Sequence, residues 1–468
     1  MKKVAIFAVA VALLLLALPP VLGMLTESQV RARITALDTS GVLKASLRTY
    51  ERGWFRSHAR MSLALTPQTI AKLDELGAAI GLPPLSADLD RRVPIALEIA
   101  HGPLAVLDGV YFGWSKIIAR LDTRARNVAS LEQSLGVPYL FEFRGRTGFA
   151  GGVSFDASLP AVDVEAAGVH ITFSGAGIDG ALVGQRLVSE SRLGGFTLTS
   201  PPGAFTIRNV RAATDLELGS SNAAPGDAKL SIEQFSIVDA ARGDRPVLDA
   251  ANVKIASKVG FDPHATLLDL HATYDADSVL LYDTRVTEAS LGVALDKIDV
   301  AAVDAYVKLA QSDGGGSDPA ADVGRALTRA LAAGPSFVLD PLRFRVDGEP
   351  FTARVEVAAN PAALPATGSV GLDNWLVLLP ALRVMATVDV SKKLARDLAT
   401  LAAEMRFVDD AMLPEQRRLL ADMQAGLMLA TLLGQNMLVD AGDTYRAELR
   451  MDGSGVTLNG GPLPFDLP

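Results

Sequence analysis

Val42-Leu43-Lys44-Ala45-Ser46-Leu47-Arg48-Thr49-Tyr50 decides the fold class, because Leu43, Ala45 and Leu47 alternate with Lys44, Ser46, Arg48 and Tyr50. A period of two is the mark of a strand with one buried face. Met61, Leu63 and Leu65 repeat the pattern, and Arg52-Gly53 between the two runs reads as the turn of a hairpin. Further along the chain the alternation returns at Val93 to Ile99, Phe141 and Phe143, Val169 to Phe173, Leu230 and Ile232, Leu268 to Tyr274, and Leu291 to Leu295. It resumes at Leu342 to Val346, Val355 and Val357, and Leu449 and Met451. So many half-polar strands without regularly interposed helices predict antiparallel pairing. The expected class is therefore α+β, mainly β: one or more large curved antiparallel sheets with a few packed amphipathic helices, after an amino-terminal membrane helix.

Helical spacing occurs at Ile70, Leu73, Leu76 and Ile80, at Val300 to Gln311, and at Ala320 to Ala333. Near the carboxyl end, Leu394, Leu398, Leu401, Met405 and Val408 form one stripe, and Leu420, Met423, Leu427, Ala430, Leu433 and Met437 form another beyond Pro414. These two stripes predict a packed helix pair. Gly314-Gly315-Gly316-Ser317 reads as a linker. The expected organisation is a membrane helix over 1–25, a β-rich region over 26–312, a linker and helix over 313–335, and strands with two helices over 336–468.

The chain has 468 residues, 49% of them hydrophobic and 21% charged, enough apolar material for two or three cores and too much for disorder. With no Cys, disulfides, thiol catalysis and thiolate metal sites are excluded. A net charge of −9 disfavours a nucleic-acid partner, whose binding rests on neutralising phosphates. Lys2-Lys3 precede an uncharged stretch over residues 4–25. At ~1.5 Å rise that stretch spans ~33 Å, enough to cross a bilayer, and the two lysines stay on the cytoplasmic side. The rest of the chain is then exported. Retention as an anchor is the favoured reading; cleavage after Pro19-Pro20-Val21-Leu22-Gly23 is the alternative, which leaves a soluble periplasmic protein.

Local patterns that imitate sites have plainer readings. Gly175-Ala176-Gly177-Ile178-Asp179-Gly180 matches the dinucleotide glycine spacing, but no helical pattern follows it, so these read as turn glycines. No two of His58, His101, His170, His264 and His271 have the i, i+4 spacing of a helical zinc site. Asp269 and His271 share one strand face, predicted to be solvated. Gly53 between strands suits a positive φ, with Tyr50, Trp54 and Phe55 covering the hairpin end. His101-Gly102-Pro103 ends a strand, and its imidazole reads as a buried hydrogen-bonding group; Asn459-Gly460 is a turn dipeptide. No catalytic, cofactor-binding or metal-ligating residue is assigned, and no cofactor is expected.

Several stretches, in order, carry a resemblance. They are Tyr50-Glu51-Arg52-Gly53-Trp54-Phe55-Arg56-Ser57, His101-Gly102-Pro103-Leu104, Ser336 to Gly348, Val390-Ser391-Lys392-Lys393-Leu394, and Gly455 through Pro464 with Asn459-Gly460. With the basic, apolar amino terminus, they resemble the YdgA-like family of bacterial proteins of unknown function. The resemblance implies a Gram-negative inner-membrane protein whose body lies in the periplasm, and it supplies no reaction or ligand. Its motif residues Tyr50, Arg52, Gly53, Phe55, Ser57, His101, Gly102, Pro103, Asn459 and Gly460 are carried forward as structural or contact positions. Two function classes remain: a binding or scaffolding body that holds a lipid-like or peptide segment or an envelope protein on an apolar sheet face, and an envelope hydrolase whose site is assembled from distant residues.

Overall fold

The structure is a computed structural model that describes residues 23–28, 30–32, 34–35, 43–79, 92–122, 128–166, 168–218, 224–243, 245–262, 264, 266–311, 328–364, 380–406, 413–453 and 455–462. The expected membrane segment falls mostly outside these residues; its last positions, 23–25, begin a helical stretch. Among the described residues no helix is long and apolar enough to cross a membrane. The expected linker Gly314 to Ser317, the first part of the expected helix over Ala320 to Ala333, Ile80 and Val408 also lie outside them. By contacts the chain divides into two units, Met1–Thr199 and Ser200–Pro468.

The first unit contains β1 (Leu43–Arg52), β2 (Arg56–Leu65), α1 (Pro67–Ala79), β3 (Val93–His101), β4 (Leu104–Val106), β5 (Val110–Phe112), β6 (Ser115–Leu121) and α2 (Val128–Leu135). It continues with β7 (Glu142–Thr147), β8 (Val153–Leu159), β9 (Val162–Ala166), β10 (Val169–Phe173), β11 (Ala176–Val183) and β12 (Arg186–Ser200). All pairings are antiparallel, with β1–β2–β3–β6–β7–β8 in sequence and the small β4–β5 hairpin set aside. The core lies on one face of this meander, where Ala45, Ala59, Met61, Ile95, Leu97, Ile99 and Ala119 meet Ile34 of the amino-terminal helical stretch.

Strict alternation places Tyr50 on the outer face of β1, and the structure reverses that. The register with β2 shifts between Leu47 and Thr49, so Tyr50 pairs opposite Ala59 and packs against the core. A bulge inserts one residue and flips every later side chain to the other face. Gly53 is corrected too: it is not among the positive-φ glycines. Its need is space, since a Cβ there would stand 2.2 Å from the Arg56 carbonyl oxygen. Trp54 and Phe55 are exposed rather than covering the turn.

The glycine-spaced stretch forms strands. Phe173 pairs with Val162 and Ala176 with Leu159, so β8–β9 and β10–β11 make one long hairpin with a step at Pro160 and Gly175. Sequence periodicity misses β11 and β12 because the half-buried side of β12 carries Ser189 and Ser191 between Leu187 and Leu193.

The second unit is a meander of longer strands: β13 (Gly203–Glu217), β14 (Gly226–Asp239), β15 (Arg245–Phe261), β16 (Leu267–Leu281), β17 (Thr284–Asp299), β18 (Ser336–Val346), β19 (Glu349–Ala359), β20 (Leu382–Ser391) and β22 (Thr444–Asp452). Short strands β21 (Val439–Asp440), β23 (Gly455–Leu458) and β24 (Gly461–Pro462) extend the far edge. Helix α3 (Val300–Gln311) follows β17, and α4 (Lys392–Arg406) and α5 (Pro414–Gly434) lie between β20 and β21. Strands β17 and β18, on either side of residues 313–335, pair with each other in one sheet. Register shifts beside Glu288 (φ 52) and Lys297 (φ 57) add bulges, which bend and twist a sheet.

The carboxyl-terminal helices form as the spacing predicts, but their apolar stripes do not meet. Helices α4 and α5 pack on each other, and beyond Leu394 their most buried positions are Ala399, Ala403, Ala421 and Ala425. Leu398, Leu401, Met405, Met423 and Leu427 are exposed. Small side chains let the two backbones approach closely, and that contact outweighs pairing of the larger residues. Only Leu394 of the first stripe is buried, against Val390 with Phe351 and Tyr445 beside it.

Candidate functional site

The amino-terminal motif residues converge at one end of the first unit. Register places Ser57 opposite Ile99, and both Ser57 and His101 fall on the inward side of their strands. Ser57 Oγ lies 2.7 Å from His101 Nε2, with the two residues 0% and 1% exposed. The backbone continues the ladder past the strand end, since the His101 amide donates to the Phe55 carbonyl at 2.8 Å and the Gly102 amide to the Trp114 carbonyl at 2.7 Å. Gly102 is compulsory for this closure: a Cβ would stand 1.6 Å from the Gly113 carbonyl oxygen. Pro103, lacking an amide hydrogen, accepts from the Gly113 amide at 3.2 Å.

Two polar atoms in this cluster are buried without a hydrogen-bond partner, His101 Nδ1 and the Tyr50 hydroxyl. Burial lowers the His101 pKa below that of an ordinary histidine and favours the neutral ring. Burial likewise raises the Tyr50 pKa. Gly23 packs on the imidazole, its Cβ position 3.4 Å from the ring, so the amino-terminal helical stretch covers the cluster. Arg52 stands 3.8 Å from Glu27 of that stretch, which also binds Arg31 at 2.9 Å. Parity on the two strands was the signal that could have joined Ser57 to His101 from sequence, since Ser57 continues the Ala59, Met61 series and His101 the Ile95, Leu97, Ile99 series.

Asn459 and Gly460 belong to the second unit and make the turn their types predict, with φ of 50° and 77°. The Asn459 side chain also accepts from the Glu448 amide at 2.7 Å and donates to the Asn436 carbonyl at 2.7 Å, tying the turn to the end of α5. Asp269 and His271 do not pair. Asp269 accepts the Lys297 amide at 2.8 Å, holding the bulge, while His271 faces Asp296 at 3.3 Å on the exposed side. Among the described residues no cluster of His, Asp or Glu has the geometry to hold a metal.

The broadest feature is one face of the second unit's sheet. Directly opposed partners share a face, and register joins Val259, Leu270, Leu295, Phe337, Val357, Val384, Met451 and Val456 into one row. A parallel row runs Ala272, Val293, Leu339, Val355, Ala386, Leu449 and Leu458. Apart from Ala272, every member of the two rows is only half-buried. The opposite face carries Lys254, Asp275, Ser290, Arg343, Thr352, Asp389 and Arg446 in register.

Comparison with known proteins gives one family and no closer relative. Neither the curated proteins nor the solved structures yield a match. The family DUF945, bacterial proteins of unknown function, matches residues 1–466. That match spans both units and includes the buried Ser57–His101 cluster as well as the Asn459 turn, and the chain accordingly belongs to this bacterial family of unknown function.

Proposed function

We propose that the protein is a membrane-tethered binding or scaffolding protein of the bacterial envelope, of the YdgA-like type, which holds an aliphatic, lipid-like segment on the apolar face of its second unit. The supporting observation is the pair of half-buried rows described above, Val259 to Val456 and Ala272 to Leu458. In an ordinary sandwich such rows are buried by a second layer. An apolar face of this extent that is only half-buried among the described residues favours a ligand, because each methylene laid on it gains about 0.8 kcal/mol. Outside the bulges the ladder groups of the sheet are paired along its plane, so an extended peptide on the face would lose water from its own amides and gain few partners. An acyl chain carries no such groups.

The test is native mass spectrometry of full-length protein extracted gently from membranes. Retained lipid, lost on Leu339→Asp with Val355→Asp, supports the reading; apo mass alone removes it. Amino-terminal sequencing that begins near Met24 would remove the tether and leave the ligand reading in place. The hydrolase alternative rests on the Ser57–His101 contact, which has the spacing of a nucleophile and base. Both groups are sealed from solvent and Nδ1 faces no carboxylate, which weighs against it.

A further inference from the structure

The stretch Val390-Ser391-Lys392-Lys393-Leu394 has no part in the buried cluster or the apolar rows, and its placement is electrostatically unusual. Lys392 and Lys393 open α4, whose first turn has no acidic residue, and Arg396 follows one turn later. A helix amino terminus carries partial positive charge and favours anions, so cations there are locally disfavoured. Ser391 caps the helix by accepting the Leu394 amide at 3.0 Å, so the lysines are not needed to start it. Ion pairs within the chain offset that placement.

The three cations line one cavity of about 570 Å³ together with Leu429, Leu433 and Tyr445, and no carboxylate is among its described lining residues. That volume lies in the range of small-ligand sites. Each cation has a carboxylate neighbour outside the lining: Lys392 with Asp440 at 2.7 Å, Arg396 with Asp422 at 2.9 Å, and Lys393 with Glu349 and Asp397 at 3.6 and 3.8 Å. These contacts hold the side chains in place and leave further N–H donors, since an ammonium has three and a guanidinium five. Tyr445 pairs opposite Val390, which continues the Val384, Ala386, Val388 side of β20, so one lining residue of the cavity shares the face of the apolar rows.

We propose that this cavity receives the anionic head, carboxylate or phosphate, of an amphiphile whose aliphatic tail runs onto the adjoining sheet face. The inference rests on the acyl-chain reading above and adds the head-group chemistry. A bare anion would engage the spare donors of the cations alone, and a neutral lipid the apolar part of the lining alone; an amphiphile engages both.

The experiment compares oleate with oleyl alcohol, which share a chain and differ in charge, by equilibrium dialysis against the full-length protein. Oleate is expected to bind about tenfold tighter, the worth of one charge-assisted hydrogen bond. In Lys392→Gln/Lys393→Gln/Arg396→Gln that preference is lost while oleyl alcohol binding is unchanged. Lys393→Gln alone, which removes only the two long ion pairs, reduces the preference partway and serves if the triple variant melts early. Equal binding of both ligands to the natural protein overturns the head-group site and leaves the acyl reading standing. Binding of neither overturns both. Inorganic phosphate that binds as tightly as oleate, at these three residues, overturns the amphiphile in favour of a free anion.

Discussion

Ser57 Oγ and His101 Nε2 lie 2.7 Å apart on neighbouring strands, and each is the other's main polar partner in a region closed to water. Ser57→Ala leaves the imidazole with both nitrogens unpartnered. The expected loss is about 1–3 kcal/mol of unfolding free energy, read by urea denaturation. A loss below ~0.5 kcal/mol would show that the hydrogen bond contributes little.

The same imidazole gives the protein a pH dependence whose sign is determined by burial. His101 has a folded-state pKa below the unfolded value of about 6.5, so the unfolded chain binds more protons between the two values. Stability is therefore fully present above that unfolded pKa and declines as pH falls through the folded one. Denaturation midpoints measured between pH 7.5 and 5 should show the decline in the natural protein. The slope should be shallower in His101→Gln, which cannot take up the proton.

Gly102→Ala places a methyl group where the Gly113 carbonyl already stands, 1.6 Å from the new Cβ. Backbone on both sides must move, and a loss of at least about 2 kcal/mol is expected. Gly109→Ala is the informative control: no atom lies within 4 Å of its Cβ position, so only the cost of its positive φ of 94° remains. Equal melting of the two variants would refute the packing account.

The helix pair tests which residues hold it together. Ala421 and Ala425 are 0% exposed, and Ala421→Leu should cost about 1–3 kcal/mol by overpacking. Leu427, 69% exposed, should tolerate Leu427→Ser within about 0.5 kcal/mol. The reverse order of melting temperatures would return the large apolar stripes to the interface.

These contrasts show what the amino-acid pattern conveys. The β1–β2–β3 strands, the helices after Pro414 and Ser391, and the Asn459-Gly460 turn are legible because each depends on neighbours along the chain. Tyr50 is misplaced by parity because a bulge is a property of two strands together and leaves no mark in one. Gly53 and Gly102 announce themselves as glycines, yet the carbonyl each must admit comes from Arg56 in one case and from Gly113, beyond an intervening hairpin, in the other. Leu398 and Leu427 follow helical spacing without facing the core, since periodicity tells which residues share a side and not what that side meets. Lys392 and Lys393 stand out in sequence only as part of a family-like stretch; the cavity they share with Arg396, Leu429 and Tyr445 depends on the packing of two helices and a strand.

From β13 to β20 each sheet neighbour is the next strand along the chain, and this has a consequence for assembly. Closing a short hairpin costs little chain entropy, whereas a strand that must await a distant partner pays for a long closure first. Here β14 can add to β13, β15 to β14, and so on to β20 without any strand waiting for one not yet synthesised. The order of emergence is then also the order of growth. A chain ending after Ala359 would lack β20 to β24 and both helices, and would still leave every strand from β14 to β19 with a neighbour to pair with.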